Sequence, residues 1–219
     1  MTLRRLALLA AFTLNPASAV LAAPCAGFAD VDATSQFCGN VEWIKNRKVT
    51  LGCTSSTAYC PSEFVSRLQM AAFMNRLGTA LTPIVVRSEL ASGAIHLDAA
   101  PVVCATVDQP IDGFPRRVLV DSSLSATSPN GVDIAVRSVY SINGGASWTP
   151  FAAVQSFAFV PAAQWGQASD VGAVDLDVGQ TVRFGVQVGR TGGGSVDLSD
   201  SRCLLRAQIG SRNEAASPL

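Results

Sequence analysis

Hydrophobic positions recur along this chain with two different periods. Between residues 37 and 81 they return every three or four positions, at Phe37, Val41 and Ile44 and then at Met70, Phe73, Met74, Leu77 and Leu81, which is the spacing of a helix with one apolar face. From Pro101 onward the period shortens to two. Val118–Val120, Ile134–Tyr140, Phe157–Val160, Val182–Val188 and Cys203–Ile209 have the β-branched, alternating character of half-buried strands. Turn residues separate them at Asn130-Gly131, Asn143-Gly144-Gly145, Asp177-Val178-Gly179 and Gly192-Gly193-Gly194. The pattern predicts an α+β multidomain chain, with a small helical module over 24–81 followed by an all-β antiparallel sandwich, jelly-roll-like, over 101–212. About eight strands fit that second length.

Local chemistry marks the boundaries. Asp30-Val31-Asp32 with Thr34-Ser35 predicts the start of the first helix, of about three turns, and Ser66-Arg67-Leu68-Gln69 reads as a capping box opening the second. There the serine hydroxyl accepts from the backbone three residues on, and the glutamine reaches back. The five apolar residues from Met70 to Leu81 are then expected to form a buried stripe. Thr82-Pro83 ends the helix. Residues 82–100 lack a sustained period and read as a linker, with a single strand over Ile84–Ser88.

Composition narrows the function. Charged residues make up 15% of the 219 positions, against roughly 25% in average soluble chains, and Lys plus Arg balance Asp plus Glu at 16 each. That balance and the 7% aromatic content leave no basic stacking surface, so nucleic acid is not an expected partner. A single histidine, His96, excludes a multi-histidine metal site within one chain. No metal or cofactor is expected.

Arg4-Arg5, the apolar run Leu6–Leu14, the Asn15-Pro16 break and Ala17-Ser18-Ala19 have the form of a secretory signal peptide, assigned here to residues 1–23. The run is too short and interrupted for a membrane span, which needs about 20 apolar residues, so no transmembrane anchor is expected. The localisation that follows is exported: periplasm, cell surface or secreted. Export also changes the reading of the six cysteines. In an oxidising compartment they form disulfides more readily than a metal site, and none of their spacings is C-x-x-C. Six cysteines allow fifteen pairings. Proximity and strand placement favour Cys25 with Cys38, Cys53 with Cys60, and Cys104 with Cys203.

Phe28-Ala29-Asp30-Val31, an amphipathic helix, Val49-Thr50-Leu51-Gly52-Cys53, Tyr59-Cys60-Pro61 and Val65-Ser66-Arg67-Leu68-Gln69-Met70-Ala71 follow in that order. The ordered set resembles an S-layer homology (SLH) module over about a quarter of the chain. Ser66-Arg67-Leu68-Gln69 stands where the family has T-R-A-E. Phe37 takes the place of its tryptophan, Lys48 that of its helix-ending glycine, and the Cys53–Cys60 loop that of its Gly-Asp-Gly turn. The resemblance implies noncovalent attachment to cell-wall polysaccharide or peptidoglycan-linked glycan. Arg67 would contact an anionic sugar group, because a guanidinium makes bidentate bonds to carboxylates, and Asp30 and Trp43 would assist. Such modules usually come in threes, and one copy is visible here, so a homo-oligomer is among the partners the resemblance allows.

Other candidates are weaker. His96 and Asp98 suggest a dyad, but no G-x-S-x-G motif supplies a nucleophile, and a surface or structural histidine is the reading adopted. Asp170, Asp175, Asp177, Asp197 and Asp200 lack EF-hand spacing. Ser141–Trp148 resembles an Asp box, which implies a braced hairpin and not glycosidase chemistry. The tail over 213–219 is expected to be disordered. The sequence therefore predicts a non-catalytic exported envelope protein that binds wall glycan through Arg67, Asp30 and Trp43 and displays a β-sandwich binding domain. The alternatives are a cell-surface structural or assembly protein and, third, a carboxylate-dependent hydrolase.

Overall fold

The computed structural model describes residues 23–90, 92–152, 155–192 and 194–212. The expected leader, except Ala23, and the expected tail lie outside them.

In chain order the elements are β1 (Pro24–Cys25), β2 (Phe28–Asp32), α1 (Cys38–Asn46), α2 (Arg67–Leu81), β3 (Ile84–Leu90), β4 (Ile95–Leu97), β5 (Val102–Ile111), β6 (Arg116–Thr127), β7 (Val132–Ser141), β8 (Thr149–Pro150), β9 (Ser156–Val160), β10 (Trp165–Leu176), β11 (Gln180–Arg190), β12 (Val196–Leu198) and β13 (Asp200–Ser211). The antiparallel sandwich is present. One sheet runs β10-β6-β13-β3; the other runs β5-β11-β7, with β8 and β9 sharing the outer edge of β7. Alternation decides which side chains face inward. Val118, Val120 and Leu124 of β6, Leu205 and Ile209 of β13, Val136 of β7 and Phe184 and Val188 of β11 meet between the sheets, each at most 1% exposed.

Two devices tie the layers together. Val186 pairs with Ala105 and Gln187 with Val103, so Cys104 is the extra residue of a β-bulge. A bulge re-aims its side chain, and this one is joined across the sandwich to buried Cys203. The second device fills a gap in a ladder. On the edge of β7, β9 pairs with Val132–Val136 and β8 with Val139–Tyr140, leaving Arg137 and Ser138 between them. The Ser138 N–H donates instead to the Asp170 carboxylate of β10 at 2.6 Å, and the Ser138 hydroxyl bonds that of Ser122 at 2.7 Å. A buried donor without a ladder partner is thereby satisfied.

Residues 23–81 form a smaller unit built on different means. Ala26 and Gly27, both at positive φ, make the two-residue turn between β1 and β2. Cys25, Phe28, Val31 and Val41 make a small core that the Cys25–Cys38 disulfide closes. α1 is nine residues long, begins at Cys38 and not at Thr34, and ends in a Schellman motif. Val49 N–H donates to Ile44 O and Lys48 N–H to Lys45 O, both at 2.9 Å. Lys48 sits at φ +54, the left-handed conformation that glycine adopts at least cost. α2 carries the expected capping box: Ser66 Oγ accepts from Gln69 N–H and Gln69 Oε1 from Ser66 N–H.

Two expectations change. The five-residue stripe of α2 is only partly buried: Phe73 and Leu77 pack beside Val49, Ala80 and Phe114, while Met70, Met74 and Leu81 are at least half exposed. One narrow strip of the helix meets the sandwich, at the Phe114 turn between β5 and β6, and the neighbouring column faces solvent. Residues 82–100 are also more than a linker. β3 is an edge strand paired with β13, and β4 pairs with β12 while burying Ile95 and Leu97 in the sandwich core. Pairing and burial there override a weak local pattern. The unit and the sandwich are further joined by Arg47, whose Nη2 donates to Arg212 O at 2.7 Å.

Candidate functional site

Three disulfides are present, and they are the three that proximity favours: Cys25–Cys38, Cys53–Cys60 and Cys104–Cys203. They fit an oxidising, extracytoplasmic environment. Among the described residues no helix is long and apolar enough to cross a membrane.

The structure does not bring Arg67, Asp30 and Trp43 into one cleft. The Asp30 carboxylate accepts from Tyr59 N–H at 2.8 Å and Cys60 N–H at 2.6 Å, so it braces the Cys53–Cys60 loop against β2. Those two backbone donors, Tyr59 first, hold its pKa below the ordinary carboxylate value. Trp43 lies on α1 with the Arg47 guanidinium 4.2 Å from its ring centre, close to the junction with the sandwich. Arg67 is the first residue of α2 and is exposed.

A cleft of about 370 Å³ does open in this unit, between the Cys53–Cys60 loop and the other side of α2. At about 100° per residue, nine residues separate Arg67 from Arg76 by half a turn, so it is Arg76 that faces the cleft. Its Nη1 donates to Val49 O at 3.3 Å, which fixes the stem and leaves further donors on the guanidinium. Tyr59, Phe64 and Phe73 supply aromatic surface, Gln69 and Glu63 add polar groups, and the Cys53–Cys60 disulfide is part of the wall. Phe64 is 99% exposed. The signal for Arg76 was its place three residues beyond Phe73 and seven beyond Gln69, on the inward side of α2; the family motif drew attention to Arg67 instead. Glu63 and Phe64 lie in a loop with no period and carried no signal.

The remaining candidates find other roles. His96 lies between two carboxylates, with Nδ1 2.5 Å from Asp197 and Nε2 3.2 Å from Asp98. Its hydrogen bond to Asp197, then the charge of Asp98, raise its pKa above the ordinary histidine value. With both ring nitrogens engaged by carboxylates it latches β4 to β12. Asp175 lies near Arg117 and Arg212, and Asp177 near Arg212, at 3.7 to 3.9 Å. Asp170 is in the sandwich core, and Asp200 opens β13 opposite Thr127. Among the described residues no cluster of His, Cys, Asp or Glu could hold a metal ion.

The hairpin expected from Ser141–Trp148 is present. Ser141 Oγ accepts from Gly145 N–H at 2.8 Å, Asn143 Oδ1 accepts from Ser147 N–H at 3.0 Å, and Trp148 lies over Gly185, where a Cβ would stand 2.9 Å from its ring. Arg183 clamps this turn from below, donating to Gly144 O and to both carboxylate oxygens of Asp108.

No family model and no curated protein matches the chain. Among solved structures, a chain in the structure of infectious bursal disease virus, Gx strain, is 13% identical, with 63% of this chain aligned to 35% of that one at a TM-score of 0.37. This chain thus corresponds to about a third of that protein's length. The Eiger TNF structure from S. frugiperda is 10% identical over 62% of this chain and 99% of the other, also at 0.37. A chain of the extra small virus particle of the prawn Macrobrachium rosenbergii is 12% identical over 59% and 81%, at 0.25. These likenesses are too remote to bear on function.

Proposed function

We propose that this is an exported envelope protein whose N-terminal unit, an SLH-like module, attaches noncovalently to cell-wall polysaccharide or peptidoglycan-linked glycan while the jelly-roll-like sandwich is displayed outward. The reading rests on one observation above the others: a fully exposed aromatic, Phe64, stands at the mouth of a cleft that also holds Arg76 and is braced by a disulfide and by Asp30. Sugar rings present an apolar face to aromatic side chains, and a guanidinium binds their carboxylates. Arg67, on the far side of α2, plays no part in this arrangement. The attachment is binding without catalysis.

Sedimentation of the mature chain with isolated cell walls tests this. Phe64→Ala leaves the fold intact and should weaken retention at least tenfold, whereas Arg67→Ala should match the parent. The reverse pattern, or no sedimentation of the parent, overturns the reading.

The assembly alternative is favoured by a different observation. Met70, Met74 and Leu81, each at least half exposed, form one stripe on a face of α2 away from the cleft, and contiguous apolar surface of this kind marks contacts between proteins. A concentration-dependent mass in analytical ultracentrifugation, abolished by Met74→Ser but not by Phe64→Ala, would support it.

A further inference from the structure

Glu63 and Arg76 both line the cleft beside α2, and among the described residues neither forms an ion pair, with each other or with any third group. Opposite charges sharing one cleft without meeting constrain the charge of what can bind there. A neutral sugar can offer hydroxyls to both groups but neutralises neither charge. A purely anionic sugar would satisfy Arg76 and be opposed by Glu63; a purely cationic one would do the reverse. Only a ligand carrying both signs complements both charges, and each charge then disfavours the wrong partner as well as attracting the right one.

We infer that the cleft selects a zwitterionic saccharide unit, a hexosamine with its amine free next to a carboxylate-bearing sugar, with the ammonium at Glu63 and the carboxylate at Arg76. This deepens the wall-glycan reading and rests on it. Tyr59 and Phe73, half-buried on the cleft walls, suit an ammonium as well as a sugar face, because aromatic rings attract cations. N-acetylation removes the positive charge and leaves Glu63 facing an amide, so the cleft distinguishes de-N-acetylated wall glycan from the acetylated form. Arg76 is also anchored to Val49 O, which keeps its guanidinium in place before a ligand arrives.

Calorimetric titration of the oxidised mature chain with four probes tests the inference. They are a glucosaminyl–muramic acid disaccharide with free amines, its N-acetylated counterpart, a glucosamine dimer, and a short zwitterionic peptide without sugar. The free-amine disaccharide should bind at least tenfold tighter than each of the others. Glu63→Gln, at an exposed position whose side chain makes no bond in the fold, should abolish the preference over the N-acetylated form. Arg76→Lys, which keeps the charge, should retain the preference. Equal binding of the free-amine and N-acetylated disaccharides, an unchanged preference in Glu63→Gln, or tighter binding of the peptide overturns the inference. If walls still sediment the parent chain in that case, the attachment reading stands and only the zwitterion selectivity fails. If walls do not sediment it and no probe binds, both fall.

Discussion

The sandwich and the N-terminal unit are stabilised in opposite ways. Among the described residues twenty-two buried side chains form one continuous core between the two sheets, and a single disulfide crosses it. The unit over residues 23–81 has two clusters, of four and three buried residues, and the second exists only because Phe114 of the sandwich completes it. In place of burial it has two disulfides, a capping box, a Schellman motif and the Asp30 brace. Small units that cannot build a sufficient core are held by such staples. Exposed aromatics are not confined to the unit, since Phe157, Phe159 and Trp165 of the sandwich are at least half exposed; what the unit adds is a cleft beside Phe64.

Removing packing from the sandwich should have the largest effect. Phe184→Ala empties a fully buried site and should cost about 3–5 kcal/mol of global stability in a denaturant titration. A cost below 1 kcal/mol would mean the core is not the continuous body described. The staple side of the contrast is sharpened by the Cys53→Ala/Cys60→Ala pair, expected to cost about 2.5 kcal/mol by loop entropy. Hydrogen exchange should show that loss in α2 and the 53–60 loop, with the sandwich amides unchanged. Equal loss throughout would merge the two regions into one cooperative body. A smaller change runs the other way: Lys48→Gly relieves a left-handed lysine and should add about 1 kcal/mol to the stability of the unit.

The smallest effect lies in the sandwich and depends on pH. The folded-state pKa of His96 is raised above its ordinary value of 6.5 by Asp197 and Asp98. The stability it contributes is therefore fully present below about pH 6.5 and is lost as pH rises through the folded value. The group is exposed, so the gain is modest. Imidazole chemical shifts followed by NMR should give a midpoint above 6.5 that falls in Asp197→Asn.

Sequence made the covalent frame and the strongest strands legible. β6, β7, β11 and β13 carry β-branched residues in alternation, and the cysteine pairing followed from proximity and strand position. β10 was not legible, because Gly166, Gln167, Ala168, Ser169, Asp170 and Gly172 have neither bulk nor period. It is a strand because all twelve of its residues pair with β6. The same holds for β4, whose three residues acquire their role from burial of Ile95 and Leu97. At the candidate site the motif pointed to Arg67, but its side of α2 depends on which strip of the helix docks against Phe114. That docking is tertiary, and a one-dimensional pattern of five apolar residues could not say which two of them would be covered.

The bridge from the Cys104 bulge to Cys203 sets how the chain would bear a load applied at its N-terminal side. Tension entering from the N-terminal side reaches Cys104 and passes through the sulfur bond to Cys203, bypassing the chain between. With 99 residues of separation, about 330 Å of contour length is locked out of any stretch. Single-molecule pulling should show that increment only after reduction, so under oxidising conditions the sandwich resists shear as a closed ring.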